Sequence, residues 1–467
     1  MAGFGGIGGT VDVEVGKQYK LVVPQKLPLG GSVSGTRKPG LFKVYVPTRE
    51  GATLELRTTS GTISVFGPDG NPAKDANQRP VPSGSTVKFD TRLGEFGWFG
   101  VLVDGATSYT VSSKFTITGN AKDADGSMLV PWNFYYFPFT QVAQQGTSHP
   151  TYKYDQRFGT KANEWEKTNY WKSEIRSNGQ LGDGFDGHGI TEQACKEYNE
   201  YCGRTVVNYE DCGWWGHCDA ASCASALFAQ PSASGNFSDV DLEYFATEIS
   251  MRGYQIELLF FLGGLGNSNR NTPNHTEKPE DREGQALDSD IGPFHEALIK
   301  CVRQDGFPAL MDLRAFWAPG GSTHSEVWNQ CIYKFEMEGK QAEPDRGPQD
   351  EEPSARKIEF KTKLSANADA PPNRPNSHGN PENPAGSGWY RELLYVLHFD
   401  ASGKVQHDHP KNNWKKCRWP DGDEAYAPRY IFRIKGLNPN GSGPGNPHIT
   451  IGNVAQLGLV RRKLYGG

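Results

Sequence analysis

Short runs of alternating apolar and polar residues fill residues 10–118, and they constrain the fold more than any other feature of the chain. Runs such as TLELRT at 53–58 and TVKFDT at 86–91 place every second side chain on one face. Turn-forming sequences, such as PDGNP at 68–72, separate the runs. Short strands bounded by turn residues are typical of a β-sandwich. We therefore expect an all-β sandwich at 1–118, acting as an accessory or binding domain.

The pattern of apolar and polar residues changes after a short polar segment, GNAKDADGS at 119–127. We interpret 119–130 as a linker. Asp123 and Asp125 also resemble a calcium-binding turn, but two carboxylates fall short of the roughly six to eight oxygens that Ca²⁺ prefers. Residues 131–467 mix helical and strand patterns and predict an α+β domain, with a long polar insertion at 338–388.

Within this second region, periodicity predicts individual elements, including a helix over 238–251 that Ser238 caps at its N-terminus. Helices are predicted at 159–177, 191–202, 219–230, 238–251 and 293–303, and strands at 308–314, 324–336, 356–364, 390–400, 429–436 and 448–460.

Charge and hydropathy exclude several classes of protein. The 467 residues carry 49 Lys and Arg against 54 Asp and Glu, a net charge of −5, so the chain lacks the basic surface of a nucleic-acid-binding protein. The longest strongly apolar run, at 258–265, is far shorter than the roughly 18–20 residues that span a bilayer. The first nine residues, MAGFGGIGG, do not read as a signal peptide. Either the protein is not exported through a signal peptide, or its leader is absent from this chain. The clustered cysteines favour an exported protein.

The chain has eight cysteines, and five of them fall between residues 195 and 223. Such a cluster has three interpretations: a set of disulfides, a metal site, or a catalytic thiol among structural cysteines. The paired CxxC and HxxxH spacings of zinc sites are absent, which disfavours the metal site. We expect Cys195, Cys202, Cys212 and Cys223 to be disulfide partners or buried thiols.

The remaining member of the cluster, Cys218, lies where an aromatic turn, WWGH at 214–217, leads into the Ala-rich stretch DAASCASAL. A cysteine in the first turn of a helix meets free N–H groups and the positive end of the helix dipole, which favour the nucleophilic thiolate. This arrangement resembles that of papain-type cysteine enzymes, so we expect Cys218 to be a nucleophile. A structural half-cystine is the alternative. Trp214 and Trp215 either shield the site from water or belong to the core.

The order of elements in papain-type enzymes predicts the partners of the thiol. His324 follows a Gly-Gly turn at the start of a predicted strand, and we expect it to be the general base. Asp400, at the end of the strand 390–400, is the expected orienting acid. Other histidines remain alternatives for the base: His295, His398, His407 and His409. His217 is adjacent to Cys218 in the sequence, and we expect its side chain to diverge from that of the cysteine. Asp312 and Asn329 remain alternatives for the acid.

Segments between about 128 and 405 together resemble the transglutaminase elicitors of oomycetes and their bacterial relatives. The resemblance is carried, in order, by PWNFYYFP at 131–138, Lys153-Tyr154-Asp155, Phe158-Gly159, residues 214–221, FSDVDL at 237–242, Phe294-His295, Asp312, VWNQ at 327–330, and YVLHFD at 395–400 with Gly403. It implies a papain-like, secreted cysteine acyltransferase with a Cys/His/Asp-type site. Residues 1–118 and the chain after Val405 lie outside it.

These features predict a protein-glutamine γ-glutamyltransferase. A Cys thioester would either crosslink Gln to Lys through an isopeptide bond or be hydrolysed, which deamidates the Gln. No organic cofactor is expected, although a need for Ca²⁺ stays open. The expected partners are proteins with exposed Gln and Lys, and cell-wall or surface glycans at the N-terminal domain. A papain-like cysteine peptidase and a non-catalytic secreted binding or elicitor protein are the two alternatives.

Overall fold

The computed structural model describes residues 24–36, 39–134, 149–166, 217–261, 291–312, 329–342, 355–367, 391–407, 409, 412–418, 428, 430–443 and 445–465. Within these residues the protein is mostly β-sheet with few helices.

The N-terminal region is all-β, as predicted. Its strands are β1 (Gln25–Lys26), β2 (Ser32–Gly35), β3 (Gly40–Val46), β4 (Thr53–Thr58), β5 (Thr62–Phe66), β6 (Thr86–Asp90), β7 (Gly97–Asp104) and β8 (Tyr109–Asn120). The alternation has the expected consequence, because Leu54, Leu56, Val87 and Phe89 are buried while their neighbours are not. One sheet has the order β1-β3-β7-β5, and β2, β4, β6 and β8 belong to a second sheet.

The second sheet continues far beyond the N-terminal region. Its later strands are β9 (Tyr254–Phe261), β10 (Ala309–Asp312), β11 (Asn329–Gln341), β12 (Lys357–Ala366), β13 (Arg391–His398), β14 (Asn413–Arg418) and β15 (Tyr430–Leu437). They run in the order β14-β13-β12-β11-β10-β15-β9, each antiparallel to its neighbour.

Strand β8 joins the two regions, because its second half pairs with β11. Phe115 on β8 lies opposite Gly339 on β11, and a Cβ on that glycine would meet the Phe115 ring at 2.7 Å. The segment predicted as a linker is also ordered: Asp123 forms a bridge to Leu464 near the C-terminus. The domain boundaries stay a prediction, but the described strands on either side of them share one sheet.

The helices are α1 (Pro150–Phe158), α2 (Cys218–Leu227), α3 (Asp239–Gly253), α4 (Ile291–Leu298), which continues as a π-helix (Ile299–Gln304), and α5 (Ile451–Gln456). They divide between two cores on opposite faces of the sheet. Alternate strand residues show this: Leu310 and Cys331 pack with α1, α2, α3 and α5, whereas Met311 and Ile332 pack with α4 and the N-terminal strands. We call these faces the helical side and the sandwich side.

The helix predicted over 238–251 is confirmed, and its cap is complete. The Ser238 hydroxyl accepts the Asp241 N–H, and the Asp241 carboxylate accepts the Ser238 N–H. The strand predicted over 448–460 is wrong, because this stretch forms α5, which Thr450 caps through the N–H of Asn453.

Other predicted elements differ at their ends. The helix predicted at 159–177 cannot begin at Gly159, which ends α1 with φ of 66°. The predicted insertion at 338–388 contains the end of β11 and all of β12. The helix predicted at 191–202 lies outside the described residues. No helix in the described part of the chain is long and apolar enough to cross a membrane.

Candidate functional site

Helix α2 is a thin, almost entirely buried helix that begins at Cys218. Nine of its ten residues are buried, and Ala220, Ala221, Ala224 and Ala226 are fully inaccessible to solvent. Small side chains let the helix lie close to both the sheet and α3. Cys218 is the one residue of the helix that is partly exposed, so solvent reaches this helix at its first residue.

The thiol of Cys218 contacts the first residue of β11. Asn329 is 1% exposed, and its Nδ2 donates a hydrogen bond to Cys218 Sγ at 3.3 Å. The helix N-terminus adds backbone N–H groups that the helix itself does not use. When the sulfur bonds to a substrate carbonyl carbon, the carbonyl oxygen becomes an oxyanion. An amide donor and unused N–H groups near the sulfur are the donors that would stabilise this oxyanion.

Further hydrogen bonds hold α2 against the sheet at this point. Ser222, one turn after Cys218, donates to the carbonyl oxygen of Asn329 at 2.6 Å. Ser225 Oγ accepts from Asn367 Nδ2 at 2.7 Å, and the side-chain oxygen Oδ1 of Asn367 accepts the Cys331 N–H at 2.8 Å. All of these side chains are buried, so the distance between the thiol and Asn329 is set by a fully packed polar interface.

A second polar network includes His217, the residue before Cys218 in the chain. His217, the residue before Cys218, is fully buried, and its Nδ1 is 3.4 Å from Glu248 Oε1 on α3. Glu248 Oε2 accepts the Asn446 N–H at 2.7 Å, and Asn446 Nδ2 donates to Glu166 Oε1 at 2.7 Å. Burial and repulsion from Glu248 hold the pKa of Glu166 well above its usual range.

Of two other candidate partners of the thiol, the structure describes only one. His324 lies outside the described residues. Asp312, an alternative for the acid, is the Cα partner of Asn329 across the β10–β11 pair. The two alternatives named for the acid therefore lie at the end of the sheet that α2 covers.

The structure does not bring Asp400 to Cys218. His398 on β13 pairs with Lys357, and Ile358 pairs with Gln341 at the far end of β11 from Asn329. At about 3.3 Å per residue, the length of β11 puts Asp400 roughly 40 Å from Asn329. Asp400 instead closes a turn, accepting the N–H groups of Ser402 and Lys404, which lower its pKa.

The histidine alternatives fall into separate environments. His295 is fully buried in the sandwich-side core, where its Nδ1 is 3.0 Å from Tyr395 Oη, and burial lowers its pKa to about 3. His398 stacks on His409 with 3.7 Å between ring centres. His407 Nε2 is 3.0 Å from Glu296 Oε2. None of these three contacts places a ring at the Cys218 end of the sheet.

The described cysteines limit the number of disulfides. Cys218 carries a reduced thiol, and Cys223, Cys301 and Cys331 are free and buried. Burial raises the pKa of the Cys223 thiol and of the Cys301 thiol, the latter to about 12, so neither competes as a nucleophile. With these four reduced, the other four cysteines allow at most two disulfides.

Three further expectations concern the turn at Asp123 and Asp125, a metal site, and the two tryptophans before His217. Asp125 accepts the N–H and the hydroxyl of Ser127, which makes 123–127 a turn closed by its own residues. Among the described residues no group of three His, Cys, Asp or Glu is arranged to hold a metal ion. Trp214 and Trp215 lie outside the described residues.

No protein family model, curated protein or solved structure matches this chain. The resemblance to the transglutaminase elicitors therefore stays a hypothesis that depends on the residues themselves.

Sequence reasoning missed the network of Glu166, His217, Glu248 and Asn446. Its members come from four distant parts of the chain, so no spacing rule links them. The one local signal was two glutamates within the pattern of α3, Glu243 and Glu248, which turn out to be buried. A glutamate on a buried helix face indicates a partner elsewhere in the fold.

Proposed function

We propose that the protein is a cysteine-dependent acyltransferase of the transglutaminase type, with Cys218 as its nucleophile. The observation that carries the proposal is a single partly exposed thiol at the N-terminus of an otherwise buried helix, with a buried amide, Asn329, donating to its sulfur. The other three cysteines that the structure describes in this respect, Cys223, Cys301 and Cys331, are all buried.

Segments that carry the family resemblance contact one another in pairs, and these contacts support the resemblance. Lys153 Nζ is 2.7 Å from Asp241 Oδ2, which links the segments 153–155 and 237–242. The Cys218 segment meets Asn329 of the VWNQ segment. His295 meets Tyr395 of the YVLHFD segment. Residues matched for their sequence are thus also neighbours in the fold.

In the proposed reaction the Cys218 thiolate attacks the side-chain amide carbon of a glutamine. The C–S bond forms, and the negative oxygen is held by the Cys218 N–H and by Asn329 Nδ2. The C–N bond then breaks, and the nitrogen leaves as ammonia with a proton from the general acid, for which His324 is proposed. A lysine amine, or water, attacks the thioester and regenerates the thiol.

We propose Asn329, rather than Asp400, as the polar partner of the Cys218 thiol. Asn329 contacts the sulfur, whereas Asp400 lies at the opposite end of the sheet. His324 precedes Asn329 by five residues, which limits their Cα separation to about 18 Å. Asp312 remains the proposed alternative for orienting the imidazole.

The substrates, partners and location follow from the same hypothesis. The acyl donors and acceptors would be proteins with exposed Gln and Lys, and surface glycans would bind the N-terminal region. The site needs no organic cofactor for this chemistry, and a requirement for Ca²⁺ is tested by adding a chelator. Secretion is proposed from the resemblance and from the clustered cysteines.

The decisive experiment measures incorporation of a labelled primary amine into a glutamine-containing protein. Cys218→Ala is expected to lower incorporation by roughly 10³-fold or more, because it removes the nucleophile. Cys223→Ala is the matched control, since it removes a thiol five residues later in the same helix and should leave activity within about twofold.

Other outcomes would replace the proposal. Fragmentation of the protein substrate without gain of label would favour a cysteine peptidase with the same site. Undiminished amine incorporation by Cys218→Ala would show that Cys218 is not the nucleophile. No reaction of either kind, with Cys218 found in a disulfide, would favour a binding or elicitor protein.

A further inference from the structure

Three side chains of helix α2 lie on one face of the helix, and two of them contact the first residue of strand β11. Cys218, Ser222 and Ser225 have the spacing that places side chains on one face of an α-helix. Asn329 Nδ2 donates to Cys218 Sγ at 3.3 Å, and Ser222 Oγ donates to the Asn329 carbonyl oxygen at 2.6 Å. Helix α2 therefore binds Asn329 through both its side chain and its backbone.

The hydrogen bond between Ser222 and Asn329 is shielded from water. Ser222 is fully buried and Asn329 is 1% exposed. Breaking this bond would leave a buried polar group without its partner, which costs more free energy than the same change at a surface. On its other side, Asn329 pairs with Asp312 of β10. The backbone of Asn329 is thus fixed between a strand and a helix.

We propose that Ser222 is a positioning residue, whose hydrogen bond to the Asn329 backbone sets the place of the Asn329 amide beside the Cys218 sulfur. The inference rests on the proposed function, in which this amide holds the negative oxygen. An oxyanion donor is effective when it is already aimed at the position where the charge develops. A displacement of about 1 Å can lower a rate by roughly 10²-fold. Ser222 acts only through Asn329 in this role and does not contact the substrate.

The first test measures kcat and KM for amine incorporation by Ser222→Ala. We expect kcat to fall about 10–100-fold with KM within about twofold, because the oxyanion exists only after the sulfur has attacked. Ser225→Ala is the matched control. Ser225 is a fully buried serine on the same helix face, but its hydroxyl accepts from Asn367 Nδ2. Its kcat should stay within about threefold of the wild type, and equal losses in the two variants would overturn the inference.

A double-variant cycle separates positioning from packing. Asn329→Ala removes the amide that Ser222 positions, so adding Ser222→Ala to it should lower kcat by less than about twofold further. A packing role would cost the same factor in both backgrounds, and that result would overturn the inference. If Ser222→Ala does not fold, the same cycle is run with Ser222→Cys, whose S–H is a weaker donor. An unchanged kcat in Ser222→Cys would count against the positioning role.

The rate at which iodoacetamide alkylates Cys218 tests the inference without the acyl-transfer reaction. The thiolate is the reactive form, and an N–H donor to the sulfur stabilises it. Ser222→Ala and Asn329→Ala should therefore slow labelling of the Cys218 peptide, followed by mass spectrometry, roughly three- to tenfold, and Ser225→Ala should not. Equal rates in the wild type and Ser222→Ala would overturn the positioning role alone. A wild-type protein that incorporates no amine would instead contradict the proposed function.

Discussion

The two sides of the large sheet differ in what they bury. The sandwich side buries aliphatic and aromatic side chains, with a few polar groups such as His295 and Thr362 among them. The helical side buries a larger set of polar groups around Cys218: Glu166, His217, Ser222, Ser225, Glu248, Asn329, Asn367 and Asn446. Burying polar groups costs free energy unless every partner is supplied. This concentration of buried polar groups beside the partly exposed Cys218 distinguishes the helical side, where the proposed site lies, from the sandwich side.

The prediction with the largest expected effect concerns the stability that the sandwich side of the sheet provides. Phe115 is fully buried and covers Gly339, so Phe115→Ala removes packing from the joint between β8 and β11. We expect the free energy of unfolding to fall by about 3–5 kcal/mol, measured by urea denaturation. Amine incorporation per folded molecule should be unchanged at low temperature.

A comparison with Phe99→Ala shows whether the described regions unfold together. Phe99 is fully buried on β7, in the sheet that contains only N-terminal strands. Because the two regions share a sheet and a core, both variants should lower the midpoint of one common transition. Two separate transitions, with only one affected by Phe99→Ala, would show that the N-terminal region folds independently.

The next prediction tests the helical side. Asn329→Ala removes the amide that donates to Cys218 Sγ. We expect kcat for amine incorporation to fall by about 10²–10³-fold, the usual cost of removing an oxyanion donor. Asn412→Ala is the control, because Asn412 is also fully buried but accepts from His398 at the other end of the sheet. Equal losses in the two variants would remove Asn329 from the proposed site.

A smaller effect concerns His295, which is buried in the sandwich-side core. Burial lowers the pKa of His295 from 6.5 to about 3, so the unfolded chain binds a proton in this pH range that the folded chain does not. Stability therefore falls as pH drops below 6.5, by about 2 kcal/mol at pH 5. His295→Phe keeps a ring against Phe360 and should remove this part of the pH dependence.

Urea denaturation at pH 7 and pH 5 checks this expectation. The loss of stability between the two pH values should be smaller in His295→Phe than in the wild type, because all other titrating groups are common to both. An identical loss in the two proteins would mean that His295 does not titrate on unfolding. Wild-type activity in the variant would exclude His295 as the general base.

The smallest effect belongs to Asp400. Backbone N–H groups of Lys404 and Ser402 lower its pKa below 3.8, so the carboxylate contributes stability above the unfolded value and loses it as pH falls through the folded one. Asp400→Asn should lower the melting temperature slightly at pH 7 and not at pH 2. Amine incorporation should stay within about twofold, and a large loss would return Asp400 to the site.

Local patterns in the sequence predicted the elements whose signals are local. The cap at Ser238, the buried Ala-rich helix after Cys218 and the alternating N-terminal strands each depend on residues a few positions apart. Strands β9 and β14 were not predicted, and α5 was predicted as a strand. In so short a stretch, the apolar positions 449, 451, 454, 457 and 459 fit both the helical and the strand period. The hydrogen bond from the Asn453 N–H to the Thr450 hydroxyl caps the helix that forms there.

Long-range pairing explains the rest of what the sequence did not predict. Asp400 was chosen because it ends a strand in the expected order, but only the β12–β13 register shows at which end of the sheet that strand stops. Asn329 was named only as an alternative, since its contact with Cys218 depends on α2 crossing the start of β11. The His217–Glu248 pair likewise exists only after α2 and α3 have packed.

The pairing of β8 with β11 has a consequence for synthesis on the ribosome. About 210 residues separate the end of β8 from the start of β11. At roughly 5–20 residues per second, the N-terminal strands exist for some 10–40 s before their partner is made. During that time half of one edge of β8 offers unpaired backbone groups beside the hydrophobic Phe115, a surface that favours aggregation. The growing chain therefore depends on protection of this edge until residue 341 has emerged.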